Sequence, residues 1–277
     1  MLWPYRVPGC PGLMSTVVVV LPAYNEASRL KTLLDRIGGA LHDRPYRIVV
    51  VDDGSRDDTA AILAQERQQL PLEVITHPVN RGLAQTLYDG LHWAVAHCAE
   101  DDVVVTMDAD DTHDPAYIAA MLAKIEAGCD LVIASRFQPG AAVVGVPLHR
   151  RLFSFGVLLL LRLFMPIPGV RDYACGYRAV RVGVLARAFE RFGERLFELR
   201  RWGFICTAEL LWKLRVVGAR CGEVPFALRY DLKESTSRMR AMRTIGGYGL
   251  LVWKSWVAPD WRRNRPGGST QSHAAGM

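Results

Sequence analysis

Short apolar runs alternate with longer amphipathic stretches through the first half of the chain. Residues 16–21, 47–51, 72–76, 103–107 and 130–135 are rich in β-branched side chains and bounded by turn formers, which predicts buried strands. Helices are predicted between them over 28–41, 58–69, from the Asn80-Arg81-Gly82 turn to about 97, and over 115–127. Strands and helices alternating at these lengths build right-handed βαβ units around a mostly parallel sheet, so the fold class is α/β. The pattern changes over 148–166. There Arg150-Arg151 precede an apolar run from Leu152 to Leu161 that Arg162 closes. This run is too short and too charged at its ends to span a bilayer. It suits a helix lying in the membrane interface, with a buried core helix as the alternative. A second such segment covers 241–261, where Trp253, Trp256 and Trp261 accompany Lys254, a pairing typical of a membrane boundary. Residues 1–14 read as a loose tail, 15–240 as the folded domain and 262–277 as a disordered tail.

Charge sharpens this picture. The chain has 277 residues and a formal net charge of +6, unevenly spread. Acidic residues concentrate before Asp114, whereas arginine dominates from Arg136 onward, which calls for an anionic partner in the second half. No nucleic-acid module or stacked-aromatic pattern is present, so a membrane surface or a phosphate ligand fits better than nucleic acid. The six cysteines lack metal-ligand spacing and read as reduced thiols. With no credible signal peptide and no apolar span of about 20 residues, the expectation is a cytoplasmic protein, peripheral on the inner membrane face.

The candidate chemistry lies at the strand ends. Asp108-Ala109-Asp110 follows the fourth strand, and two carboxylates one residue apart can converge on a hard divalent cation at the sheet's carboxyl edge. Acidic residues merely ending a strand are the alternative. Three further groups share that edge: Leu21-Pro22-Ala23-Tyr24-Asn25-Glu26, Val51-Asp52-Asp53-Gly54-Ser55, and Ala134-Ser135-Arg136. A Rossmann dinucleotide site is excluded, because no GxGxxG follows the first strand.

In this order and spacing the motifs resemble the family 2 glycosyltransferases of the GT-A fold, over about 16–239. Asp172-Tyr173-Ala174-Cys175-Gly176-Tyr177-Arg178 and Glu223-Val224-Pro225, with Phe204 and Glu209, resemble the dolichyl- and polyprenyl-phosphate mannosyltransferase group more narrowly. The resemblance implies an inverting transfer of a hexose from a nucleotide sugar to a polyprenyl phosphate. GDP-mannose is the first expectation and a UDP-hexose the next. It also implies residue roles. Pro22, Tyr24, Glu26, Val51, Asp53, Asp108, Ala109, Asp110, Arg229 and Arg238 would bind the nucleotide sugar. Asp108 and Asp110 would hold Mg²⁺ or Mn²⁺, with Thr112 standing where the group commonly has glutamine. Arg136, Arg150 and Ser154 would bind the acceptor phosphate, and Asp110 and Arg136 would be the catalytic pair. Asp172 reads as a residue paired internally with an arginine, His113 as a turn histidine and Glu209 as structural. Glu198-Leu199-Arg200-Arg201-Trp202 is one residue from the QxxRW pattern of processive synthases and reads as coincidence. The alternatives are a relative acting on a glycan or small-molecule hydroxyl, and a non-catalytic membrane adaptor.

Overall fold

The computed structural model describes residues 15–202, 205–230 and 241–262, apart from the side chains of 149–151 and 241–243. The expected tail at 1–14, the expected tail at 262–277 beyond Arg262, Arg238, and the Arg150 side chain lie outside the described residues.

A seven-stranded sheet forms the centre, in the order β3-β2-β1-β4-β7-β5-β8. Its strands are β1 (Val17–Ala23), β2 (Tyr46–Asp52), β3 (Leu72–Thr76), β4 (Val103–Thr106), β5 (Leu131–Ser135), β7 (Arg178–Arg181) and β8 (Cys221–Pro225). The apolar runs of β1, β2, β4 and β5 are almost wholly buried, as strands covered on both faces must be. Helices α1 (Ala27–Ala40), α2 (Thr59–Glu66), α3 (Leu83–His97) and α4 (Tyr117–Glu126) are the crossovers of the first half. Each falls where the apolar and polar positions predicted it. Helices α6 (Val182–Phe192) and α7 (Cys206–Val216) complete the second half.

One strand departs from the expected parallel pattern. β7 runs antiparallel to both β4 and β5, with Thr106 opposite Arg178 and Ile133 opposite Arg178. Being antiparallel to both neighbours, β7 leaves β4 and β5 parallel to each other, so the carboxyl ends of β1, β2, β4 and β5 share one edge. A small second sheet of β6 (Ala142–Val144) and β9 (Ala227–Arg229) is joined to that edge, where Arg229 N–H donates to the Thr112 carbonyl at 3.4 Å.

Two helices flank this body. α5 (Leu148–Phe164) buries Val157, Leu158 and Leu161 while exposing Leu148, Leu152, Phe155, Leu159 and Leu163 along one helical face. α8 (Ala241–Val257) exposes Ile245, Trp253, Trp256 and Val257. Trp256 Nε1 donates to the Phe164 carbonyl at 2.9 Å, and the two rings lie 6.2 Å apart, which brings the apolar ends of α5 and α8 together. Trp261 corrects the expectation of a third boundary tryptophan. It is fully buried, lies under the Lys213 ammonium at 4.3 Å and donates to Glu198 at 3.2 Å. No helix among the described residues is long and apolar enough to cross a membrane.

Candidate active site

The turns after β1 and β2 are tied together side chain to backbone. Asn25, held at φ 55°, donates its N–H to Ser55 Oγ at 2.9 Å, and its own Oδ1 accepts from Arg56 N–H at 2.8 Å. Glu26 N–H donates to Thr59 Oγ1 at 3.1 Å. Pro22, Tyr24 and Glu26 are therefore half-buried on a braced turn at the carboxyl edge. Gly54 sits at φ 71°, and a Cβ there would come within 2.8 Å of the Val79 carbonyl carbon, so only glycine lets the β2 turn pass this loop.

Asp52 accepts from Ser55 N–H at 3.0 Å and braces its own turn, as expected. Asp53 faces the loop that leads into α3. Its carboxylate accepts from the N–H groups of Arg81 and Gly82, each at 2.8 Å, and lies 2.7 Å from His77 Nδ1. His77 Nε2 meets Asp89 at 2.8 Å on its other side. With three partners and almost no exposure, Asp53 holds the loop entering α3. Val51 is interior to the sheet, with ladder partners Pro22 on one side and Ile75 on the other.

The acidic turn after β4 has two different carboxylates. The Asp108 side chain is 49% exposed, whereas Asp110 is buried and Ala109 beside it is buried too. Thr112 donates both N–H (3.2 Å) and Oγ1–H (2.6 Å) to Asp110 Oδ1. Thr112 is itself buried, so in place of an outward ligand it orients the Asp110 carboxylate. Arg36 pairs with Asp111 and, at 2.8 Å, with Asp114, which pins the outer side of the turn. His113 is a buried ring rather than an open-turn histidine, and its Nδ1 accepts from Asp108 N–H at 3.0 Å.

These donors suit Mg²⁺ or Mn²⁺: both are carboxylate oxygens, hard ligands, and one is solvent-facing. Among the described residues no group of three or more His, Cys, Asp or Glu is placed to hold an ion. The remaining positions would thus fall to phosphate oxygens and water, the usual state of Mg²⁺ bound through one or two carboxylates. Gly176 lies beside Asp108, since a Cβ there would be 3.8 Å from Asp108 Oδ1. The backbone of Arg229 touches the same turn through Thr112.

The Asp172 segment closes the other side. Arg136 donates Nε–H (2.7 Å) and Nη2–H (2.8 Å) to the two oxygens of Asp172, which also accepts the Arg136 N–H at 3.1 Å. Asp172 is therefore the internally paired residue the sequence suggested. Arg136, by contrast, was expected as a catalytic, phosphate-binding group, and Asp172 occupies two of its three nitrogens. Burial alone would lower the Arg136 pKa, but the Asp172 charge and hydrogen bonds outweigh it, so the guanidinium stays charged. Glu223 accepts from Arg171 N–H (2.6 Å), Asp172 N–H (2.7 Å) and Gln138 Nε2 (2.8 Å), giving the Glu223-Val224-Pro225 motif a bracing role. Burial, reinforced by Asp172, pushes the Cys175 thiol up to about 12, which rules it out as a nucleophile at neutral pH.

Ser154 is half-buried on α5, the helix carrying the exposed apolar face. Glu209 is structural, as expected. It is fully buried against Lys213 at 2.6 Å and accepts from the N–H groups of Glu198 (2.8 Å) and Leu199 (3.0 Å). The Glu198–Trp202 segment serves as an anchor. Glu198 pairs with Lys254 of α8 at 2.6 Å, and Arg200 donates to Gln85 of α3 at 2.8 Å.

The chain is similar to known proteins over most of its length. The profile of glycosyl transferase family 2 matches residues 18–189. The chain is 34% identical over 211 residues to dolichol-phosphate mannosyltransferase of Pyrococcus furiosus, covering 76% of this chain and 55% of that protein. It thus spans little more than half the length of that relative. It is 31% identical over 210 residues to polyprenol monophosphomannose synthase of Mycolicibacterium smegmatis, covering 75% of each. Identity is 30% over 221 residues to undecaprenyl-phosphate mannosyltransferase of Micrococcus luteus, covering 79% of this chain and 86% of the relative. Among solved structures, glucosyl-3-phosphoglycerate synthase of Mycobacterium tuberculosis superposes with a TM-score of 0.59 at 19% identity, covering 86% of this chain and 80% of that one. That likeness concerns the GT-A fold. The same enzyme has been crystallised with Mn²⁺ and UDP, and with Mg²⁺ and UDP.

Proposed function

The chain belongs to glycosyl transferase family 2, and from that premise we propose that it transfers mannose from a nucleotide sugar, GDP-mannose first, to a polyprenyl phosphate at a membrane surface. The single observation that carries the lipid acceptor is the apolar face of α5, where Leu148, Leu152, Phe155, Leu159 and Leu163 are all exposed on the helix that bears Ser154. A hydroxyl acceptor would need a carboxylate or imidazole base. Glu209, the sequence's best candidate, is sealed in an ion pair with Lys213.

A phosphate monoester needs no such base, because its second pKa of about 6 leaves it anionic at neutral pH. Its oxygen attacks the anomeric carbon in a single inverting displacement while the nucleoside diphosphate leaves. The protein's task is to align two anions and offset the charge of the leaving group. Asp108 and Asp110 would hold Mg²⁺ or Mn²⁺, which supplies Lewis-acid neutralisation of the diphosphate. Thr112 keeps the Asp110 carboxylate in position. Arg229 lies on the strand bonded to that turn and would approach the diphosphate from the β9 side. Arg136 would meet the acceptor phosphate with Nη1 while Asp172 fixes its plane, and Ser154 and Arg150 would add to that subsite from α5. Exposed Trp253 and Trp256 would seat α8 at the headgroups, giving a peripheral membrane protein.

The test is transfer of radiolabelled sugar from GDP-mannose, UDP-glucose and UDP-N-acetylglucosamine to undecaprenyl or dolichyl phosphate with Mg²⁺ or Mn²⁺. Labelled lipid from GDP-mannose alone, abolished by Asp110→Asn, is the expected result. Labelled lipid from a UDP sugar would replace the donor. No labelled lipid from any donor, in membranes or detergent, would move the acceptor to a hydroxyl.

A further inference from the structure

We propose that His113 is a positioning residue for the metal-binding turn, setting the backbone of Asp108 through a hydrogen bond accepted at Nδ1. This rests on the metal reading of Asp108 and Asp110 given above.

The ladder of β4 ends when Met107 N–H reaches the Val20 carbonyl at 3.3 Å. The next N–H belongs to Asp108 and has left the sheet. It is taken by His113 Nδ1 at 3.0 Å, five residues on, closing the 108–113 turn on itself. Nδ1 is thus the acceptor, and Nε2 is the nitrogen that carries the hydrogen. Nε2 lies 3.9 Å from Asp108 Oδ2, too far for a hydrogen bond but turned toward the carboxylate. One ring therefore addresses both the main chain and the side chain of the solvent-facing carboxylate.

The ring is itself held. It stacks on Tyr177 with centroids 5.1 Å apart and planes 16° apart, and Phe226 meets its edge at 5.5 Å. Tyr177 in turn donates its hydroxyl to the Asp114 carbonyl at 2.8 Å, so the platform is fastened to the far end of the same turn. If core filling were the only demand, phenylalanine would serve these two aromatic contacts without burying a polar ring. An imidazole adds an acceptor for the Asp108 N–H, which a phenyl ring cannot supply. Groups that orient metal ligands from behind typically account for about 10- to 100-fold in metal affinity.

The experiment measures Mn²⁺ binding by electron paramagnetic resonance in the presence of GDP, and then of UDP, alongside thermal unfolding. His113→Phe keeps the aromatic stack and removes the acceptor. His113→Asn keeps an acceptor, Oδ1, at the Nδ1 position and removes the stack. The expected result is Mn²⁺ affinity about 10- to 100-fold weaker in His113→Phe, which still folds and melts somewhat lower for the loss of one main-chain hydrogen bond. His113→Asn should stay within about threefold of wild type in affinity while melting lower. Wild-type affinity in His113→Phe, with affinity lost in an Asp108→Asn control, overturns the role of His113 and leaves the metal reading standing. If Asp108→Asn binds Mn²⁺ as wild type does, the metal reading fails and this inference falls with it. Should His113→Phe not fold, folded His113→Asn decides: retained affinity supports the proposal, and lost affinity overturns it.

Discussion

Asp172→Ala should unfold this protein far more readily than a surface substitution would, and the reason is the charge it leaves behind. Asp172 is fully buried and accepts from Arg136 N, Nε and Nη2, from Ala174 N at 3.2 Å and from Cys175 N at 3.0 Å. Removing one partner of a buried ion pair costs about 3–5 kcal/mol, because the other charge stays desolvated. For a chain of this size each kcal/mol lowers the melting temperature by roughly 2–4 °C, so a fall of about 6–20 °C is expected. Urea titration at pH 7 would give the free energy directly. Burial on its own would raise the Asp172 pKa, but the Arg136 charge and the hydrogen bonds to Arg136 and Cys175 lower it overall. A folded value below the unfolded one of about 3.9 means the pair stabilises fully above that pH, and its contribution disappears as pH falls through the lowered value. Wild type should therefore lose its advantage over Asp172→Ala only in strong acid. Replacing both members, as Arg136→Met with Asp172→Leu, should recover only part of the stability, since no charge is stranded but the N–H groups of Arg136, Ala174 and Cys175 lose their acceptor. An Asp172→Ala protein within about 0.5 kcal/mol of wild type at pH 7 would refute this account of the pair.

Leu152→Glu with Leu159→Glu should leave thermal unfolding unchanged, because both side chains are exposed. Partition onto anionic vesicles, read by sedimentation, should weaken by at least about 100-fold at roughly 1.5–3 kcal/mol per leucine. Lys213→Met strands Glu209 in a fully buried site and should cost about 3–5 kcal/mol in urea unfolding. Gly54→Ala forces a side chain onto φ 71° and against Val79, so a loss of at least about 1–3 kcal/mol is expected in the same assay.

Much of the fold was legible because its signals are local. Val17–Leu21 and Ile48–Val51 are apolar without interruption, and the acidic and prolyl turns that follow them place every motif on one edge. β7 was not legible. It is four residues long with arginine at each end, and Arg178 is buried only because its guanidinium finds the carbonyls of Thr207 and Tyr173. Such partners are tertiary and leave no periodicity behind. The same holds within the site. A carboxylate after a strand reads alike whether it faces a ligand or the protein interior. Asp108 turns outward, while Asp53 is consumed by the loop at Arg81 and Gly82. The role of Trp261 was misjudged for a related reason. Tryptophan beside a basic residue suits a membrane boundary, yet half-buried Glu198 and buried Lys213 supply a hydrogen-bond acceptor and a cation that draw this ring inside.

The burial of Tyr248 joins the two surfaces that the proposed reaction must bring together. α8 exposes Trp253 and Trp256 on one face, while on the other Gly246 and Gly247 let the helix close on Trp202 and Ile205 at distances a Cβ would reduce to 3.0 Å. That close approach sets Tyr248 within electrostatic reach of both Arg136 and Asp172, although burial is what chiefly raises its hydroxyl pKa. The Lys254–Glu198 pair and buried Trp261 fasten the end of the same helix to the 193–202 segment. α8 is thus fastened to the 193–202 segment on the side where Tyr248 faces the Arg136–Asp172 pair. In the proposed reaction α8 would therefore carry both the tryptophans that seat it at the headgroups and the tyrosine that faces the Arg136–Asp172 pair.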